Sequence, residues 1–389
     1  MKNEIFNNKS GKKLRGVNLG GWLVLEKWMT PSLFEGLQAR DETSYCVELG
    51  ASAEQSLKNH WNTFITSEDF AWLAKTGINA VRIPIGHWII GPGYPYHRSY
   101  GASSHPYVEG GIEILDRAFA WAEEVGLHIV LDLHAAPGCQ NGFDNGGIQS
   151  VCEWHTKNEY IDYSLLLLER LAERYHSSPA LHAIEVLNEP RWDIDTNLLK
   201  KYTTDAYHRI RKYCQAKNVA VVFHDGFRSF REYTGFLKEP EFSNVVLDIH
   251  HYQCFGADHI DMDIYGHIRT SVIDWKNQAD EIISDLGQWT YIGEWSLGLD
   301  LKFLSLWAKG PFNHAQPEMD DFQLTVAYRA HAAAQLMTFE KYLGWFFWSY
   351  KTETTPAWCF RECVNRGWLP DRFDNSDLDM KHFRKPATA

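Results

Sequence analysis

The chain lacks what several broad functions require. Its 389 residues carry 38 Lys and Arg against 50 Asp and Glu, a formal net charge of −12, with no long basic run. Neutralising a phosphate backbone takes a positive stripe, so no nucleic acid partner is expected. No apolar run approaches the roughly 20 residues that span a bilayer, so no membrane partner is expected either. The opening stretch Met1 to Ser10 has none of the apolar character of a secretory leader. Cysteine is sparse: seven residues, scattered and odd in number, leave at least one thiol unpaired. A chain of this size has no need of covalent staples. Cys359 and Cys363 are close in sequence but lack the second close pair of a zinc pattern, so no structural metal is expected there. These features predict a cytoplasmic protein, the alternative being a secreted or periplasmic one whose leader has been removed. Internal repeats, low-complexity tracts and Pro/Gly/Ser linkers are also absent. Residues 1–389 therefore read as a single domain, expected to be a monomer.

Aromatic residues, by contrast, are abundant: 16 Trp, 18 Tyr and 21 Phe make 14% of the chain. They suit either a large core or a cleft that stacks flat rings on the apolar faces of sugars. Short β-branched and apolar runs fall at 14–19, 78–85, 127–134, 181–188, 219–224, 245–250, 289–294 and 343–348. Stretches of helical period lie between them. In 109–125, Ile112, Leu115, Phe119 and Ala122 share a face, and in 159–175, Ile161, Leu165, Leu168 and Ala172 do so. Segments 264–286 and 320–342 are further helices, and a short one is expected near 229–238. Eight strand–helix alternations with right-handed crossovers predict an α/β fold, a (β/α)₈ TIM barrel with extended loops on the catalytic face. A doubly wound open sheet is the alternative, but no Gly-rich phosphate loop follows the first strand.

Carboxyl ends of barrel strands face the active-site mouth, and here they are polar: Arg82, Asp132-Leu133-His134, Asn188-Glu189-Pro190, His250-His251-Tyr252, Gly293-Glu294-Trp295 and Trp348. Glu189 closes the fourth strand and Glu294 the seventh, on roughly opposite sides of the mouth. Two carboxyl groups, one protonated and one ionised, are what a retaining glycosidase needs. Glu189 is the expected acid/base and Glu294 the expected nucleophile. Glu189 must then keep a raised pKa, which burial and the Glu294 charge can supply. Arg82 is placed to keep Glu294 ionised, Asn188 to hold the sugar 2-hydroxyl, Tyr252 to orient the nucleophile, and His134 and His250 to line the sugar subsite.

These residues resemble glycoside hydrolase family 5, with a match over roughly residues 14–370. Within it the chain is most similar to the exo-β-1,3-glucanase branch. The similarity lies in Gly16-Val17-Asn18-Leu19-Gly20-Gly21-Trp22-Leu23-Val24-Leu25-Glu26, Gln140-Asn141-Gly142-Phe143-Asp144-Asn145, His250-His251-Tyr252-Gln253 and Phe347-Trp348-Ser349. The resemblance implies that Glu26 and Asp144 hold the terminal glucose, that Trp348 is the platform beneath it, and that Phe143 and Phe255 grip the next sugar. It implies a β-glucan oligosaccharide or glucoside as substrate, hydrolysed without metal or organic cofactor. Two stretches depart from the pattern: a long 91–104 loop after the second strand, and Arg191-Trp192 just beyond Glu189. Other readings keep the chemistry and change the substrate: a β-1,6-glucanase, an endo-β-glucanase, or a β-glucosidase for a small or lipid aglycone. A transglycosylase and a non-catalytic carbohydrate-binding barrel are readings of another class.

Overall fold

The computed structural model describes residues 13–91, 106–260, 262–286, 289–299 and 321–374. Eight parallel strands close into a barrel in strict sequence order: β1 Leu14–Asn18, β2 Ala80–Gly86, β3 His128–Ala135, β4 Leu181–Glu185, β5 Ala220–His224, β6 Val245–Gln253, β7 Trp289–Leu299 and β8 Gly344–Phe347. Each of the eight predicted runs overlaps one strand. Pairing of β1 with β8, Leu14 opposite Gly344, closes the ring.

The period of two along each strand sorts residues between two apolar layers. Leu14, Ala80, Val130, Ala183, Ala220, Val222, Val246, Tyr291 and Phe346 form one cluster inside the barrel. Their neighbours Val81, Ile83, Leu131, Ile184, Val221, Leu247, Ile292 and Trp345 belong to the large cluster between strands and helices. Gly16 is glycine because a β-carbon there would come 2.3 Å from the Phe346 ring. Continuing the alternation upward puts Asn18, Arg82, Asp132, Glu185 and Asp248 inside, then His134, His224, His250 and Trp348. The barrel is thus apolar at its base and polar at its mouth.

Helices cover the outside. Gly111–Val125 and Asn158–Tyr175 match their predicted segments. Glu42–Leu49, Ser52–Thr63 and Ser67–Thr76 cross from β1 to β2, and Thr196–Arg211 from β4 to β5. The β5–β6 crossing holds one 3₁₀ turn, Phe230–Tyr233. Segment 264–286 differs from a plain α-helix: Ile264–Arg269 and Trp275–Glu281 are separated by a π-helical turn at Thr270–Asp274, and a second follows at Ile282–Leu286. The last large helix is Asp321–Phe339. Among the described residues no helix is long and apolar enough to cross a membrane. All seven cysteines are free thiols; Cys359 and Cys363 donate to the carbonyls of Tyr350 and Pro356. Of the 91–104 loop only Gly91 lies within the described residues.

Candidate active site

Arg82 is the hub of the mouth. It is buried, and its guanidinium donates to Glu185 Oε2 (2.7 Å), Glu185 Oε1 (3.1 Å), Asn18 Oδ1 (2.9 Å), Asn188 Oδ1 (2.8 Å) and Glu294 Oε1 (3.0 Å). Asp132 Oδ2 lies 3.1 Å away. Burial works against the charge, but Asp132, Glu185 and Glu294 hold Arg82 protonated well above the usual guanidinium value. One fixed cation therefore orients both Asn188 and Glu294.

Glu294 reaches the interior through an irregularity in β7. The pairing register shifts on both sides, between Ile249 and His250 and between Ile292 and Trp295. Gly293 permits this: its N–H donates to Asp248 Oδ1 (2.6 Å), and a β-carbon would lie 2.0 Å from Asp248 Oδ2. The Glu294 carboxylate accepts from Arg82 at Oε1 and from the Tyr252 hydroxyl at Oε2 (2.7 Å). Burial and the Glu189 charge raise its pKa, against the opposing charges of His250 and Arg82.

Glu189 follows the end of β4 in the left-handed region, φ 42°. Its Oε2 accepts from Asn145 Nδ2 (2.9 Å), and its Oε1 pairs with His250 Nδ1 (2.7 Å). That same nitrogen is 3.4 Å from Glu294 Oε2. Two oxygens held at 2.7 and 3.4 Å from one atom are at most about 6 Å apart. A retaining pair is separated by about 5–5.5 Å and an inverting pair by about 6.5–9.5 Å. The bound on the facing oxygens is compatible with the first.

His250 also changes the proton account. The sequence argument places a raised pKa on Glu189. In the structure, burial does push Glu189 up, but the His250 hydrogen bond and charge outweigh it, and the carboxyl sits below its ordinary value. Burial opposes a charged His250, yet Glu294, Asp248 and Glu189 raise it well above the usual imidazole range. The proton that Glu189 needs is thus shared with the imidazole across a 2.7 Å hydrogen bond.

Around this pair stand the remaining expected residues. His134 Nδ1 is held by Asp132 (2.6 Å), and its ring stacks on Trp348 with centroids 5.3 Å apart and planes 7° from parallel. Gly20 makes room for the Trp348 indole, whose atoms would lie 2.8 Å from a β-carbon there. Glu26 is buried, accepts from Trp28 Nε1 (2.8 Å), and is raised well above the carboxylate range by burial and the charges of Asp144, Glu294 and Glu189. Burial also raises Asp144. Phe143 is half-buried on the same loop, its N–H donating to Asn141 Oδ1 (2.9 Å). Phe255 is exposed and contacts the rings of Tyr252 and Trp358. Glu26 Oε1, His134 Nε2 and Asn188 Nδ2 are buried with no hydrogen-bond partner among the described residues. Such atoms are costly unless a ligand supplies both donors and acceptors, and sugar hydroxyls supply both.

Sequence reasoning assigned no role to Glu185, Asn18, Asp132, Asp248, Asn145, His224, Trp28 or Trp358. Trp358 packs on Tyr252 (5.3 Å) and Trp28 (5.4 Å), extending the aromatic rim. Glu189, His224 and His250 are close enough to hold a metal ion. However, His224 Nδ1 accepts from the Gly226 N–H (2.9 Å), which puts the proton on Nε2, and His250 Nδ1 is already engaged by Glu189. Within the cluster Glu189 is hydrogen-bonded to His250, and His224 meets the His250 ring edge-on with centroids 4.3 Å apart.

A family model, Cellulase (glycosyl hydrolase family 5), matches residues 45–353. The chain belongs to glycoside hydrolase family 5. A glucan 1,3-beta-glucosidase of Blumeria graminis is 37% identical over 95% of this chain and 89% of its own length. Glucan 1,3-beta-glucosidase 2 of Wickerhamomyces anomalus is 33% identical over 92% of this chain and 88% of its own. The crystal structure of a rutinosidase from Aspergillus niger superposes with a TM-score of 0.73 at 21% identity, over 92% of this chain and 97% of that one. This last likeness shows the barrel alone. Within the family frame, the opposed glutamates, the Arg82 hub and the Trp348 ring stacked on His134 lie together at the carboxyl ends of the strands.

Proposed function

We propose that this family 5 glycoside hydrolase is a retaining exo-β-1,3-glucanase that releases glucose from the non-reducing end. The observation that carries the chemistry is the single imidazole nitrogen shared by Glu189 and Glu294, which brings the facing oxygens within about 6 Å. The relatives named as glucan 1,3-beta-glucosidases, matching over nearly their full length, support the linkage. The buried Glu26 beside Asp144 supports a closed glucose subsite.

In the first step Glu294 attacks the anomeric carbon. The glycosidic C–O bond breaks, and its oxygen takes a proton from Glu189, the one that Glu189 shares with His250 across their hydrogen bond, which leaves the pair one proton short. Arg82 and Tyr252 hold the attacking carboxylate, and Asn188 Nδ2 stands ready for the sugar 2-hydroxyl. In the second step the Glu189–His250 pair takes a proton from water, whose oxygen displaces Glu294 and frees β-glucose. The cations that balance the carboxylates are Arg82 and His250.

The test is product release over time from laminari-oligosaccharides, with Glu294→Gln run alongside. Glucose alone from the earliest points, falling by ~10⁴-fold or more in the variant, is the expected result. Longer early products would establish endo action by the same pair, and an unimpaired variant would overturn the mechanism.

A further inference from the structure

We propose that Trp192 is the platform of a leaving-group subsite, taking the second sugar beyond the scissile bond on its indole face. The inference rests on the preceding assignment of Glu189 as the acid, because the residue that protonates the leaving oxygen marks the side on which the leaving group lies.

Trp192 stands three positions after Glu189, within the ~10–11 Å that three residues can span. At 58% exposure it is the most exposed tryptophan among the described residues, and among these its indole makes neither a ring contact nor a hydrogen bond. The backbone on either side is nonetheless clamped. Arg191 N–H donates to the Gln140 carbonyl (3.1 Å) on the β3 loop, and Ile194 N–H to the Arg191 carbonyl (3.1 Å). Arg228, from the β5 loop, donates to the carbonyls of Arg191 (3.3 Å) and Ile194. Ile194 itself is buried.

A fixed backbone carrying an open aromatic face is the arrangement a stacking surface requires, since little ordering remains for the ligand to impose. The charge next to it is cancelled: Arg191 Nε donates to Asp193 Oδ1 at 2.6 Å. The surface offered is therefore flat, apolar and nearly neutral, which suits the face of an uncharged glucosyl unit and not a phosphate or an acidic sugar. The leaving group's first sugar lies against Glu189 itself, so a disaccharide substrate ends before Trp192 and a trisaccharide reaches it.

The test compares wild type, Trp192→Ala and Trp192→Phe on laminaribiose, laminaritriose and laminaritetraose, with p-nitrophenyl β-glucoside reporting the catalytic centre. In Trp192→Ala, kcat/KM for the triose and tetraose falls by about 3- to 10-fold, the size of one aromatic contact. The biose and the nitrophenyl glucoside stay within about twofold, and Trp192→Phe restores most of the loss. A loss equal on all four substrates, or none on the longer two, overturns the subsite while leaving the β-1,3 reading intact. A wild type that cleaves the nitrophenyl glucoside but no laminari-oligosaccharide overturns that reading and the occupant named here together.

Discussion

Replacing His250 by Gln narrows the pH window of activity from both sides. In the wild type, one imidazole nitrogen lies 2.7 Å from Glu189 and 3.4 Å from Glu294, and the other lies 3.4 Å from Asp248. Three carboxylates hold His250 protonated well above the usual imidazole value despite its burial. The alkaline limb of kcat/KM therefore reports the Glu189–His250 pair losing its one mobile proton, a property of the pair and not of either residue. The acid limb reports Glu294, which must be ionised to attack and is already raised by burial.

In the variant, Glu189 has to keep that proton alone, without the cation that three carboxylates supported, so the alkaline limb moves down. Glu294 loses a positive neighbour, so the acid limb moves up. A unit charge at 3.4 Å in an effective dielectric of 20 interacts by about 5 kcal/mol. Even a third of this exceeds the 1.36 kcal/mol of one pKa unit, so the acid limb shifts by about one unit or more. The assay is kcat/KM against pH on laminaribiose, whose leaving alcohol needs protonation. p-Nitrophenyl β-glucoside, whose leaving group departs without it, shows the acid-limb shift but a weaker alkaline one. A bell of wild-type width in His250→Gln, or both limbs moving in one direction, would refute the shared-proton argument.

Tyr252→Phe removes the donor to Glu294 Oε2; a hydrogen bond to a charged group contributes about 1.5–3 kcal/mol, so kcat on laminaribiose falls roughly 10- to 100-fold with the fold unchanged by circular dichroism. Arg82→Lys keeps the charge but cannot serve Asn18, Glu185, Asn188 and Glu294 together. Breaking a buried ion network costs about 3–5 kcal/mol, read as a lower denaturation midpoint and as loss of nearly all activity. Gly293→Ala sets a β-carbon 2.0 Å from Asp248 Oδ2, so the β7 irregularity must shift and carry Glu294 with it. The expected result is a kcat loss exceeding tenfold together with a lower melting temperature, whereas an active, stable variant would show that β7 tolerates the contact.

The barrel was legible because parallel strands buried on both faces read as apolar runs, and each of the eight runs overlaps a strand. Segment 264–286 shows the limit of periodicity: its apolar pattern persists through two π-helical turns, and the extra residue in each turn leaves no mark in a window of that length. The proposed catalytic residues could be picked out because they stand at or just beyond strand ends. The buried carboxylates behind them could not, since Glu185, Asp132 and Asp248 lie one layer below the mouth, on strands that look like core. A signal for them did exist. Each lies an even number of positions from an interior apolar residue, Ala183, Val130 and Val246 respectively, and a charge on the inward face of a buried strand requires a partner.

Asn145 and His250 carry a different lesson. Nothing in the spacing between residues 145, 189, 250 and 294 indicates that one imidazole touches both glutamates. That contact depends on the left-handed backbone of Glu189, the register shift beside His250, and the β3 loop folding back to present Asn145. It also decides where the proton sits. Burial and like charge, the two terms visible from the sequence, both raise Glu189; the third, a hydrogen bond to a cation, reverses the sign and exists only once three strands and a loop are brought together. A candidate catalytic pair could therefore be proposed from the chain alone, whereas its protonation could not.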